Sequence, residues 1–246
     1  MSQGIHKAAA GMMAGMDRFG TIANNLANAS TTGYKRDLQF LRLLTRAQTD
    51  RSRKQSGGAT VQELVQDQFT DFSQGELNET GNKLDLAISG TGLFTIQTTR
   101  GIAYTRNGSF TLDENSYLVY YLGNRVLSDE GEILINGAEV IINRFGEVEV
   151  DGGNVGKIKI VVFEDDTKLR KAGNSLFYPI NEEVEPQVPI DPYLISQGYL
   201  ETSNVNLVQE MITMIALGKE FEANQKVIQT NDELMRREAR ELGRIR

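Results

Sequence analysis

The sequence of 246 residues contains no cysteine and a single histidine, His6. Disulfides, thiolate nucleophiles and cysteine-bound metals are therefore excluded, as is a multi-histidine metal site. Acid–base chemistry would fall to carboxylates, lysine or tyrosine. The adjacent carboxylates Asp165-Asp166 and Glu182-Glu183 stand in polar, loop-like stretches, where they read as a solvated face. Gly90-Thr91-Gly92 follows a strand pattern, but no glycine comes three residues later and no helix pattern follows. It fails as a dinucleotide fingerprint, and no phosphate-binding loop of the Walker type is present. Met12, Met13, Met16, Met211 and Met214 offer thioethers to a soft metal, but their spacing is that of packed helices. The sequence predicts no catalytic residue, no cofactor, no metal and no small-molecule substrate.

With chemistry so sparse, the elements carry the information. Residues 4–28 read as a helix, with Ile5, Ala9, Met12, Met16, Phe19, Ala23 and Leu26 alternately four and three apart. That is a heptad seam over about three heptads. The helix would be roughly 37 Å long. Small residues flank the seam, so another helix can approach closely. The glycines among them each weaken an isolated helix by about 1 kcal/mol. Ser30-Thr31-Thr32-Gly33 ends it.

Residues 205–242 carry a second, longer helical pattern. Leu207, Met211, Met214, Gly218, Phe221, Gln225, Ile228, Asp232, Met235, Ala239 and Leu242 again alternate steps of four and three. Asn206 with Gln209 resembles a capping box. Roughly 55 Å of helix cannot fold over a small core and must project or pair along its length.

Between the helices lies a β pattern. Leu84-Asp85-Leu86-Ala87-Ile88 alternates with period two, and strands are expected over 93–97, 103–106, 109–112, 117–122, 132–135, 139–142, 147–150 and 157–163. Asn136-Gly137 predicts a type I′ hairpin between two of them, and 113–115 and 129–131 predict further turns. Regular Gly and Asn punctuation suits an all-β sandwich or barrel. The expected organisation is an N-terminal helix and turn (1–44), a connector (45–83) with a flexible polar stretch over 45–62, a central β domain (84–180), an extended Pro-containing link (181–203) and a C-terminal helix (204–246). The fold class is α+β, with the terminal helices pairing as a coiled-coil-like column.

The net charge is −7, yet residues 1–60 hold nine basic and three acidic residues, giving +6 there and −13 over the rest. A basic head on an acidic body could favour head-to-body association between subunits, but the Arg51-Ser52-Arg53-Lys54 run reads first as a solvated loop; an acidic chain is a poor general binder of nucleic acid. No apolar run approaches a membrane span, so no membrane insertion is expected. Residues 1–10 lack the pattern of a cleaved signal peptide. Three readings stand on the residues: a filament-forming structural protein, a cell-wall-binding or wall-acting β module with Asp85 or Glu114 facing a cleft, and a basic-head nucleic-acid binder. The uncovered seams favour the first, because heterologous contacts that do not close build helical assemblies.

Several motifs then resemble one family. Ile22-Ala23-Asn24-Asn25-Leu26-Ala27-Asn28-Ala29-Ser30-Thr31-Thr32-Gly33-Tyr34-Lys35-Arg36 resembles the N-terminal signature of bacterial flagellar rod and hook proteins. Leu84-Asp85-Leu86-Ala87-Ile88-Ser89-Gly90-Thr91-Gly92-Leu93-Phe94 is similar to a second family segment, with Leu93 where Phe is usual. Tyr104-Thr105-Arg106-Asn107-Gly108-Ser109-Phe110 resembles a third. Gln197-Gly198-Tyr199-Leu200-Glu201, Ser203-Asn204-Val205-Asn206 and the helix segment 221–230 resemble the C-terminal part.

The resemblance implies a structural subunit of the flagellar rod, the shaft that carries motor torque to the hook. It implies export through the flagellar type III apparatus without a cleaved signal, a periplasmic place in the basal body, and other rod subunits and itself as partners. Ile5, Met12, Met16, Phe19, Leu26, Leu207, Met211, Met214, Phe221, Ile228 and Met235 are the expected assembly interface. Asn24, Asn25, Leu26, Ala27, Asn28, Gly33, Gly90, Gly92, Ser203, Asn204, Val205 and Asn206 are the family signature. The distal rod member resembled carries a Gly-rich stretch after its N-terminal region; here residues 57–72 read GGATVQELVQDQFTDF. That favours the proximal rod protein, with the distal one as the alternative.

Overall fold

A computed structural model describes residues 2–45, 62–181, 184–189 and 192–242. The chain divides into two compact units, each discontinuous in sequence. One collects the segments Met1–Leu26, Asp37–Phe69 and Leu207–Arg246; the other collects Ala27–Arg36 and Thr70–Asn206.

The first unit contains helix α1 (Ser2–Ala27), strands β1 (Asp37–Thr45) and β2 (Gln62–Thr70), paired as a two-stranded sheet, and helix α2 (Leu207–Leu242). Both helices fall where the seams predict them. The strand pair β1–β2 is an addition to the sequence reading, which placed turn and connector there. The flexible stretch expected over 45–62 lies, but for its end residues, outside the described residues. The last turn of α1 is tied to the start of β1 by one side chain. Asn25, almost fully buried, gives its Nδ2 to the Asp37 carbonyl and accepts the Asp37 N–H on Oδ1, both at 2.9 Å. The Gln39 amide donates to the Asp17 carbonyl at 3.3 Å.

The second unit is almost wholly β. Its strands are β3 (Leu77–Glu79), β4 (Leu86–Ser89), β5 (Leu93–Thr98), β6 (Gly101–Thr105), β7 (Thr111–Leu112), β8 (Leu118–Tyr120), β9 (Asn124–Ser128), β10 (Gly131–Glu132), β11 (Val140–Ile142), β12 (Glu147–Val150), β13 (Gly153–Lys157), β14 (Ile160–Val161), β15 (Leu169–Lys171), β16 (Leu176–Pro179), β17 (Leu194–Gln197) and β18 (Tyr199–Glu201). The largest sheet has the order β15-β16-β6-β5-β9-β8-β7, with β10 added to β9 and β14 to β5. A second sheet is β11-β12-β13, and the late strands return to the early ones as pairs β17–β4 and β18–β3. Glu201 thereby stands opposite Leu77 and Gln197 opposite Leu86.

Alternation fixes two cores on the faces of β5. Phe94 and Ile96 point into the main core with Leu86, Ile88, Phe110, Leu118, Val126, Ile133 and Ile158. Phe94 and Phe110 meet edge-to-face at 5.1 Å. Leu93 points the other way, into a smaller cluster of Tyr104, Val161, Phe163, Leu169 and Phe177.

One predicted turn is corrected. The segments around Asn136-Gly137 do not pair with each other: β10 pairs with β9, and β11 with β12. Asp151 takes the N–H groups of Ala138 and Glu139 on its carboxylate. A Cβ at Gly137 would lie 2.3 Å from that carboxylate and 2.4 Å from Val150. Close approach, not a hairpin turn, accounts for glycine there. The 113–115 and 129–131 turns form as expected, joining β7 to β8 and β9 to β10.

Candidate functional site

The β unit holds a buried polar clasp that joins the segment following α1 to the segment preceding α2. Lys35 and Glu201 have no solvent-exposed side-chain surface, and their Nζ and Oε1 lie 2.5 Å apart. Lys35 also donates to the Ser73 carbonyl at 2.6 Å. The other Glu201 oxygen faces Arg106, whose Nε lies 3.2 Å away and whose side chain is also buried. The Gly75 N–H donates to Oε1, and the Gly33 N–H to the Glu201 main-chain carbonyl, each at 2.8 Å. One residue thus serves two cations with its carboxylate and anchors two loops through its carboxylate and its main-chain carbonyl. Burial pushes the Lys35 ammonium below its ordinary range; the Glu201 charge opposes that, and Arg106 reinforces it.

Asn204 closes the other side. Its Oδ1 accepts the Arg36 N–H at 2.8 Å, and its Nδ2 donates to the carbonyls of Asp71 and Ser73. Arg36 pairs with Asp71 at 2.8 Å. Burial would raise the Asp71 carboxyl, but hydrogen bonds from Ser73 and from Arg36, with the Arg36 charge, hold it below the usual value. Lys171 reaches the Lys35 carbonyl and lies over the Tyr34 ring.

The signature residues acquire physical reasons here. Gly33 has φ +63°, and a Cβ there would sit 2.4 Å from the Asn107 nitrogen. Gly92, at φ +136°, would drive a Cβ to 2.6 Å from Ile160. Gly90 lends its carbonyl to Arg106 at 2.5 Å. Ser203 accepts the Val205 N–H, so that 203–206 lead into α2. Asn25 is the buried strap described above, whereas Asn24, Ala27 and Asn206 are exposed and Leu26, Asn28 and Val205 are half-buried. Lys35, Arg106 and Glu201 lay inside the motifs that carried the resemblance, yet nothing in their spacing marked them as one ionic cluster. The fold brings them together from the segment after α1, the end of β6 and strand β18.

The expected assembly residues lie on the helices of the other unit. Met16 is 62% exposed and Phe19 46%, Leu207 and Met211 49% each, Met235 48% and Phe221 36%. Met12, Met214 and Ile228 are half-buried. The side chain of Ile5 lies outside the described residues. Among the described side chains of α2 the buried and half-buried ones are Glu210, Thr213, Met214, Leu217, Gly218, Asn224, Ile228 and Asn231, of which Met214, Gly218 and Ile228 lie on the predicted seam. Val208, Met211, Ile212 and Ile215 stay open. Met12, Met16 and Phe19 of α1 with Leu217 and Phe221 of α2 line an apolar groove of about 380 Å³, floored by Gly11, Gly15 and Gly218.

Little else in the described residues is arranged for chemistry. No group of three or more metal-ligating side chains occurs among them. Asp85 spends its carboxylate on Thr80 and Asn82, and Asp165 is held low by hydrogen bonds from Thr167. No described helix is long and apolar enough to cross a membrane.

Comparison with known proteins agrees with this arrangement. Residues 7–35 match the family described as flagella basal body rod protein. Residues 87–150 match the flagellar hook protein FlgE/F/G D1 domain, and residues 196–241 the flagellar basal body rod FlgEFG protein C-terminal family. The sequence is 34% identical to the flagellar basal-body rod protein FlgF of Caulobacter vibrioides, with 91% of each chain covered. It is 36% identical to the rod protein FlgG of Agrobacterium fabrum, covering 92% of this chain and 94% of that one. It is 30% identical over the full length of both chains to the flagellar hook-basal body complex protein FlhO of Bacillus subtilis.

Proposed function

This chain belongs to the flagellar basal-body rod protein family and is a structural subunit of the rod, and we propose that it builds the proximal part of that shaft by pairing its terminal helices with those of neighbouring copies. One observation carries the reading. Many apolar side chains of α1 and α2, including Met13 at 69% and Ile215 at 60% exposed, are uncovered within one chain. An amphipathic helix gains most of its stability from packing that face, so it calls for neighbours. A column of such helices is the arrangement this favours. The clasp supports it mechanically, because load passing from one helix to the other crosses a buried ion cluster rather than a free linker.

Partners are other rod components, in the flagellar basal body. The finer reading adds export by the flagellar type III apparatus without a cleaved signal, a periplasmic position, and no catalytic, nucleic-acid or membrane-inserting role. The proximal place is favoured by residues 57–72, which lack the Gly-rich stretch of the distal member. The distal rod is the second reading.

The absence of cysteine supplies the test. Single cysteines at positions 12 and 214 in isolated basal bodies should crosslink to rod neighbours on both sides, and the partners' identities separate proximal from distal. A basal body without this chain would overturn the reading. Replacing Met12, Phe19, Met214 or Phe221 by Asp should abolish rod assembly while the β unit keeps its fold. Rods of normal length from such variants would refute the helix-face interface.

A further inference from the structure

Sulfur is partitioned between the two units. All seven methionines of the sequence fall at positions 1–16 and 211–235, and none stands between residues 17 and 210. The β unit fills its core with Ile, Val, Leu, Phe and Tyr instead. With cysteine and tryptophan both absent, six of the seven sulfurs, the side chains that a mild peroxide reaches first, lie on the helices. Four of those methionines are open: Met13 at 69%, Met16 at 62%, Met211 at 49% and Met235 at 48% exposed. An apolar seam does not itself demand methionine, since leucine has equal helix propensity.

We propose that the exposed methionines of α1 and α2 form an oxidation-sensitive modification site, through which peroxide makes an unassembled subunit incompetent to join its neighbours. The thioether sulfur attacks the O–O bond of a hydroperoxide. Sulfur is oxidised to the sulfoxide, the peroxide is reduced to water or the alcohol, and each side chain gains one oxygen. A flexible apolar group becomes a polar one on the face that must be buried. Assembled subunits are shielded, so the sensitivity is confined to the interval before incorporation. The inference rests on the helix-face assembly reading.

Sedimentation of the purified full chain over a range of concentrations, before and after hydrogen peroxide, tests it. Peptide mass spectrometry locates the added oxygens. The expected result is oxidation at Met13, Met16, Met211 and Met235, association weakened about tenfold or more, and recovery after treatment with methionine sulfoxide reductases. A variant with Leu at positions 12, 13, 16, 211, 214 and 235, compared with itself before and after peroxide, should change less than about twofold. Sulfoxides at all four positions with association unchanged would overturn the proposal, as would an equal loss in the Leu variant. An untreated chain that stays monomeric throughout would overturn the self-assembly reading instead, and that is seen before peroxide is added.

Discussion

Glu201 is the anion that two buried cations share, so its loss and the loss of a cation are unequal events. Glu201→Gln removes the carboxylate that Lys35 and Arg106 share. It should cost about 3–5 kcal/mol. Lys35→Met leaves the Arg106–Glu201 pair neutral and removes chiefly the bonds to Ser73 and Glu201; it should cost about 1.5–3 kcal/mol. Urea unfolding followed by circular dichroism ranks the two, and a larger loss for Lys35→Met would refute the shared-anion account. Asp71 behaves differently. Its folded-state pKa lies below the ordinary 3.8, held there against burial by Ser73 and Arg36. A depressed carboxylate contributes stability that is complete above its unfolded pKa and is lost as pH falls through the folded one. The stability gap between the parent and Asp71→Asn should therefore be constant above about pH 5 and shrink below about pH 4. A gap that widens in acid would reverse the assignment.

At the scale of elements, both helices were legible because a four-three rhythm sustained over three or more heptads has no competing explanation. Most strands of the β unit were legible through the period-two run Leu84 to Ile88 and the apolar runs after it, punctuated by Gly and Asn. The pair β1–β2 was not. Leu38, Phe40, Leu41, Leu43 and Leu44 follow no clean alternation, and the polar stretch after them separates the strand from its partner. The Asn136-Gly137 turn misled because local turn chemistry yielded to the long-range demand of Asp151 and Val150 for a residue without a Cβ. The clasp was invisible for the same reason of distance: Lys35 and Glu201 are 166 positions apart. Within the helices, a Cβ added at Gly20 or Gly218 would meet nothing within 4 Å, so alanine fits the single chain at both. Gly20→Ala and Gly218→Ala should each strengthen the isolated helix by about 1 kcal/mol, read as added helicity. If those glycines admit a neighbouring helix, rod formation should fall in the same variants; an increase in rod formation would show that their smallness serves no contact.

For the whole molecule, two forces of different range act on assembly. The sequence sets +6 on residues 1–60 against −13 on the remainder, and if that contrast acts between copies it draws them head to body across solvent. That attraction falls as the Debye length shrinks from about 30 Å at 0.01 M salt to about 8 Å at 0.15 M. Burial of the open faces of α1 and α2 responds the other way, because excluded salts such as sulfate strengthen apolar contact. The two contributions predict a turning point. Association of the purified chain should weaken as sodium chloride rises from low salt to about 0.15 M and strengthen again when sulfate replaces chloride at higher concentration. Charge asymmetry then governs how fast subunits meet, and the helix faces govern whether they stay. The distinction is testable in one molecule: Phe19→Asp should remove the sulfate response and leave the low-salt response in place. Loss of both responses in that variant would mean that the charged head acts only through the packed helices and has no separate role in bringing copies together.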